Sequence, residues 1–300
     1  MNILNKSIVS FVKVLPKSVV YLFAKKYIAG LTLQDAVNAV KDLNAKGIMA
    51  TMDVLGESIQ NKNEALIAKE ECIETLQTIY DNKLDANLSI KPTQLGLALD
   101  PDFCYNLLDE IITKAKELDN FVRIDMEDSS VTQVTIDVFN RLREKHGNTG
   151  IVVQAYLKRT LDDVIKLNKN GTSYRLCKGI YVEPAEIAYK DRREVQDNFL
   201  AILKQMIEDG NYVGIATHDD YLVDGSYKLL KDYNLDKNKY EFQMLYGVKE
   251  NLRDKIKNDG HRIRVYVPYG EHWYAYSVRR LQENPQLAFY IAKSVIGLDK

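Results

Sequence analysis

Eight short runs of apolar, largely β-branched residues recur along the chain, with helix-like stretches between most of them. The runs span residues 47–55, 87–91, 121–126, 150–156, 174–179, 213–218, 240–245 and 262–268. Helical patterning covers 63–80, 102–118, 132–145, 160–167 and 196–209. Asp100-Pro101-Asp102 reads as a helix opening, with proline at an early position where its missing N–H does no harm. Strands that alternate with helices make βαβ units and a parallel sheet. Eight units in about 250 residues match the size of a (β/α)8, or TIM, barrel. The expected class is therefore α/β, with residues 1–45 as a helical extension and 46–300 as one barrel domain. No Pro/Gly/Ser-rich linker divides the chain.

A doubly wound open sheet is the main rival. It usually carries a GxGxxG turn after the first strand. The corresponding stretch here, Met52-Asp53-Val54-Leu55-Gly56-Glu57, lacks it, and no P-loop is present. A net charge of −1 argues against nucleic acid as the main partner. Cys72, Cys104 and Cys177 lie far apart, which suits a reducing, cytoplasmic setting. His146, His218, His261 and His272 form no metal-binding pattern, so no metal is expected. No stretch is apolar for long enough to span a bilayer.

Before Asp35 the N-terminus is basic, with Lys6, Lys13, Lys17, Lys25 and Lys26. One reading is helices packed on the domain with lysines outward. The other is a basic amphipathic face in peripheral contact with the inner face of the plasma membrane.

Barrel chemistry gathers where strands end at their C-terminal side. Lys91, Asp125, Gln154, Tyr156, Arg175, Lys178, Gly179, Thr217, His218, Gln243 and Tyr246 lie at or next to such ends, and Tyr266 lies within the eighth run. Charged groups in apolar strands are retained for a task, because unpaired they are strongly disfavoured. His218-Asp219-Asp220 could suggest a metal, but adjacent acids more often open a helix. Near the C-terminus, Tyr276, Arg279, Arg280 and Glu283 fall at i, i+3, i+4 and i+7 on one helix face. That face is either solvated and laced by Arg–Glu pairs or a buried anion site. Lys91, Arg175, Lys178, Arg279 and Arg280 against Asp125 and Glu57 give a cation-rich mouth and an anionic ligand, a carboxylate or a phosphate.

The motif Tyr276-x-x-Arg279-Arg280-x-x-Glu283-Asn284 resembles the signature of proline dehydrogenases. So do Arg175-Leu-Cys-Lys178-Gly179-x-Tyr181, Val122-Arg123-Ile124-Asp125-Met126-Glu127-Asp128, Ala216-Thr217-His218 and Phe242-Gln243-x-Leu245-Tyr246-Gly247. The resemblance runs from about Met49 to Asn284, in order, and fits the short monofunctional bacterial type. It implies a distorted (β/α)8 barrel with non-covalent FAD. The implied reaction oxidises L-proline to 1-pyrroline-5-carboxylate by hydride transfer to flavin N5. This is the first step of proline degradation to glutamate, and electrons pass to a quinone.

By the same resemblance, Arg279, Arg280 and Lys91 would bind the substrate carboxylate. Tyr266, Tyr276 and Leu245 would wall the ring, and Glu283 would brace an arginine. Arg175 would lie near flavin N5, and Asp125 would support the cationic groups. Met126, Gln154, Lys178, Gly179, Ile180, Thr217 and His218 would contact FAD. Glu57 would pair with Arg279 as a gate. Ile180 and Val182 depart from common family variants, alanine and an aromatic residue, which puts flavin packing near Val182 in question. A Schiff-base lyase using Lys91 or Lys178 on a small carboxylate is the alternative enzyme class. A non-catalytic anion-binding barrel is the other rival.

Overall fold

The computed structural model describes residues 17–56, 59–168 and 171–283, without the side chains of 18, 19, 22, 23 and 279–283. Eight strands form a closed barrel in sequence order, and every neighbouring pair is parallel. They are β1 (Met49–Val54), β2 (Ala86–Ile90), β3 (Val122–Ile124), β4 (Thr149–Gln154), β5 (Ser173–Cys177), β6 (Tyr212–Ala216), β7 (Tyr240–Leu245) and β8 (Ile263–Tyr269). The first and last strands close the ring in register from Met49 opposite Arg264 to Val54 opposite Tyr269.

Numbered from the first described helix, α1 (Lys17–Ala24) and α2 (Leu33–Ala45) precede β1. Then α3 (Lys62–Asp81), α4 (Pro101–Glu117), α5 (Ser129–Arg143), α6 (Thr160–Leu167), α7 (Arg192–Glu208), α8 (Asp220–Asp232) and α9 (Glu250–Asn258) alternate with the strands. The last helix, α10 (Trp273–Glu283), follows β8.

The strands have two faces of different chemistry, as alternation requires. Met52, Leu88, Ile124, Leu176, Ile215 and Val265 are buried in the main apolar cluster beneath the helices. Each such side chain contributes about 1.5–3 kcal/mol on burial. The residues of opposite parity are polar: Thr51, Asp53, Ser89, Arg123, Arg175, Glu241, Gln243 and Tyr266 among them. They meet one another inside the ring.

Several helix starts satisfy their first N–H groups locally. Asp100 accepts from the N–H groups of Asp102 and Phe103 at 3.1 Å, ahead of Pro101. Thr32 and Asp35 form a reciprocal capping box on α2.

The expected runs and the strands agree to within a few residues. The third is shorter than the expected 121–126, because only Val122–Ile124 pair as strand. The Asp125 N–H still reaches Ile90 O at 2.8 Å. The fifth ends at Cys177 rather than Gly179, since Gly179 takes φ +107 and turns the chain out.

Before the barrel, α2 buries Ala36, Val37, Val40 and Leu43 in the main cluster. Ala24, Tyr27 and Ile28 pack with Leu55 and Tyr276. Lys25 and Lys26 are exposed, whereas Lys6 and Lys13 lie outside the described residues. Among the described residues no helix is long and apolar enough to cross a membrane.

Candidate active site at the barrel mouth

Lys91 follows β2, Asp125 follows β3, Arg175 lies in β5 and Tyr266 in β8; ring closure brings the four together. Lys91 Nζ donates to Tyr266 Oη at 3.2 Å, and Tyr266 Oη donates to Asp125 Oδ2 at 2.9 Å. Arg175 Nη1 donates to Asp125 Oδ1 at 2.8 Å and to Ser89 Oγ at 3.0 Å. Ser89 Oγ in turn donates to Asp125 Oδ1 at 2.6 Å. With three donors on its two oxygens, Asp125 serves as a hub of the network. Burial, with Asp125 and Asp53 beside it, holds the Tyr266 phenol well above its usual range. Tyr266 is thereby kept as a neutral donor.

The central unforeseen residue is Asp53 in β1. It is wholly buried, and both its oxygens accept from Lys91 Nζ at 2.9 Å. Burial pushes its carboxyl up from 3.8 to about 6 despite Lys91, and Asp125 adds to the rise. The sequence carried one signal for it: an acid inside an apolar strand, two positions from Thr51 on the inward parity.

Further down the ring, Arg175 Nε donates to Gln243 Oε1 at 2.6 Å, and Gln243 Nε2 donates to Glu241 Oε1 at 2.6 Å. Glu241 pairs with Arg264 at 2.7 Å. A side-chain chain thus runs from the barrel's lower end to Lys91. Gly214 makes room for it, since a Cβ there would sit 2.4 Å from Gln243 Nε2.

On the β4–β6 side of the mouth, Gln154 Nε2 donates to Glu127 O at 2.7 Å. Its buried Oε1 finds no donor among the described residues. Lys178 and Arg192 both approach Asp219 Oδ2, at 3.3 and 3.2 Å, and Gln196 Nε2 reaches the same oxygen at 3.0 Å. Asp219 stands before α8 as expected of a helix-opening acid, yet its side chain makes no cap hydrogen bond. It serves the cations instead.

Thr217 is buried, and its Oγ1 accepts from the Asp219 N–H at 3.1 Å. His218 Nε2 accepts from the Leu245 N–H at 2.8 Å, which ties the exits of β6 and β7 together. Gly179 lies against Tyr156, where a Cβ would be 1.7 Å from ring Cδ1. Met126 is buried, whereas Ile180 is 37% and Val182 94% exposed.

Tyr276 is buried with Leu55 and Ile28, near the exit of β1. Glu57 and Asn284, and the side chains of Arg279, Arg280 and Glu283, lie outside the described residues. The expected surplus of cations changes accordingly. Asp53, Asp125 and Asp219 partner Lys91, Arg175 and Lys178, and Arg192 shares Asp219 with Lys178. Among the described residues no group of three His, Cys, Asp or Glu is placed to hold a metal.

A closed parallel barrel with ionisable groups gathered at its strand ends has the form of a (β/α)8 enzyme. Comparison with known proteins narrows this. The family described as proline dehydrogenase matches residues 36–289. Proline dehydrogenase 1 of Bacillus subtilis subsp. natto is 36% identical over 97% of this chain and 96% of its own length. The Deinococcus radiodurans proline dehydrogenase is 33% identical over 95% of this chain and 94% of its own. Among solved structures, Bdellovibrio bacteriovorus proline utilization A inactivated by N-propargylglycine superposes with a TM-score of 0.82 at 27% identity. That match covers 87% of this chain and 32% of the other, so the chain spans about a third of that protein. The chain belongs to the proline dehydrogenase family.

This membership disfavours the Schiff-base lyase. So does the site, because a nucleophilic lysine must be an uncharged amine, and Lys91 is held in a two-contact ion pair.

Proposed function

We propose that the chain oxidises L-proline to 1-pyrroline-5-carboxylate with FAD bound non-covalently in the mouth, and that electrons leave to a quinone. The observation that carries this reading is the buried Asp53–Lys91–Tyr266–Asp125–Arg175 network, which fixes an ammonium and a guanidinium at the strand ends. Flavin, when bound, supplies the hydride acceptor at N5.

The residues present fit such a cofactor. Gln154 offers a buried acceptor in want of an N–H, as a flavin ring carries. Lys178 and Arg192 supply cations for a pyrophosphate at the rim. Gly179 leaves backbone open to close approach, and Met126, Ile180, Thr217 and His218 would complete the contacts. Arg175 would stabilise negative charge on the reduced ring.

Lys91 would bind the substrate carboxylate with Arg279 and Arg280, fixing the ring's pose. Tyr266, Tyr276 and Leu245 would wall the ring. Asp125 acts by holding Arg175 and Tyr266 in place, because its oxygens are engaged by three donors. Glu57 would gate entry by pairing with Arg279, and Glu283 would brace an arginine. Residues 46–300 act as one catalytic domain, with 1–45 as a helical extension. The cytoplasmic enzyme would meet its quinone at the inner membrane face through its basic N-terminus.

The test is the purified protein's colour and its bleaching by L-proline. A yellow protein that bleaches supports the reading. A colourless protein that cannot be loaded with FAD, and reduces no dye with proline, overturns it. Co-sedimentation with anionic liposomes tests the membrane contact, and absence of binding removes it.

A further inference from the structure

At the end of the barrel opposite the mouth, where the strands begin, lies a cavity of about 800 Å3. Arg123, Ser173, Tyr212, Glu241 and Arg264 line its inner side. Arg123 is 2% exposed. Its Nη1 donates to Ser173 O at 2.6 Å, its Nη2 to Ser173 Oγ at 3.0 Å, and the guanidinium stacks 4.8 Å from the Phe121 ring centroid.

Among the described residues Arg123 has no ion-pair partner. Its buried Nε has no acceptor, and its hydrogen bonds among the described residues go to neutral oxygens. Arg264 differs, because Glu241 pairs with it at 2.7 Å. Glu241 is the acid that favours Arg123's charge, but its oxygens serve Arg264, Gln243 and Tyr212. Inside the ring this layer therefore holds two guanidiniums and one carboxylate, while the exposed Lys83, Asp85 and Asp119 also line the cavity.

Burial pushes Arg123 down to about 9, and Arg175 and Arg264 act the same way. A buried cation in that state is strongly disfavoured unless something pairs with it. Nothing in the reaction proposed for the mouth uses it.

We propose that this cavity binds a small organic monocarboxylate, with Arg123 as its anchor. Nε and Nη2 share the edge of the guanidinium that takes a carboxylate with two parallel hydrogen bonds, and Ser173 Oγ occupies Nη2 alone. One added negative charge balances the two guanidiniums and one carboxylate inside the ring, whereas a dianion would be repelled by Glu241, Asp85 and Asp119. Leu84, Leu118, Phe121 and Tyr80 offer an apolar wall for the carbon body. The site stands apart from the mouth and does not rest on the reaction assigned there.

Benzoate is a suitable probe, read by thermal unfolding of the intact protein and of an Arg123→Met variant. The expected result is a saturable rise of about 5 °C at one hundred times Kd in the parent. Arg123→Met should lose at least half of it. Because a buried charge is replaced by a similar volume, Arg123→Met itself should fold. A Tyr80→Trp variant provides a local readout that leaves Arg123 intact, and its fluorescence should change with the same midpoint.

An equal benzoate response in Arg123→Met, or a flat Tyr80→Trp titration, overturns the site. Inorganic phosphate acting at lower concentration than benzoate overturns the monocarboxylate assignment.

Discussion

Replacing Asp53 by asparagine separates the stability of the site from its function. The ionised carboxylate of Asp53 is wholly buried and held by one ammonium through two 2.9 Å contacts. Its carboxyl nevertheless rises from 3.8 to about 6, so burial outweighs Lys91. At 1.36 kcal/mol per pH unit, that rise disfavours the ionised form by about 3 kcal/mol relative to the unfolded chain. The sign follows: the raised carboxyl stabilises the fold below about pH 4, and that contribution is lost as pH climbs through about 6.

Asp53→Asn removes this burden but leaves the Lys91 ammonium without its 2.9 Å carboxylate partner, with neutral Tyr266 Oη at 3.2 Å and the more distant Asp125 at 3.9 Å. The variant should therefore unfold at pH 7.5 no more easily than the parent, by urea titration. Its kcat/KM for L-proline should fall about 10- to 100-fold, the 1.5–3 kcal/mol of a charge-assisted contact. The acid limb of the parent's pH profile, near 6, should vanish with it. Loss of 3–5 kcal/mol of stability with catalysis unchanged would refute the reasoning, because the pair would then be a structural clamp.

Three further perturbations probe the same mouth. Tyr266→Phe deletes the hydroxyl between Lys91 and Asp125 and should lower kcat/KM about tenfold in steady-state assays; parent-like kinetics would remove Tyr266 from the network's function. Arg279→Met and Arg280→Met should each raise KM for proline through loss of about 2–4 kcal/mol of transition-state binding, and an unchanged kcat/KM in either would refute the carboxylate clamp. Gly179→Ala meets both a left-handed φ of +107 and the Tyr156 ring, so it should lower stability by about 2 kcal/mol or more and reduce flavin content on purification; a parent-like Tm would contradict the geometry.

The strands were legible because most carry a short apolar run, and β7 begins and ends where its alternation of apolar and polar residues does. Lys91, Asp125, Arg175 and Tyr266 were legible as polar groups in or beside such runs. Asp53 was not, because its meaning lies in Lys91, 38 residues away and adjacent only once β1 and β2 pair. Arg123, Glu241 and Arg264 were less legible because they lie near strand starts, whereas barrel chemistry gathers at strand ends. The alternation of polar residues in β7 and β8, Glu241 with Gln243 and Arg264 with Tyr266, was the available signal.

The polar lining of the barrel bears on how the chain assembles. The seam between β1 and β8 joins residues more than two hundred apart, so the ring cannot close until the last strand has been made. Such distant pairing is slow, and the unfinished sheet must wait. Its concave face would then carry Thr51, Ser89, Arg123, Arg175, Glu241 and Arg264, which water solvates, while helices already cover the apolar face. Pulse-labelled refolding should find the amides of β1 and β8 protected last, on an intermediate that does not aggregate. A half-built barrel of this kind is wet inside rather than sticky, and its interior charges act as a safeguard during the wait.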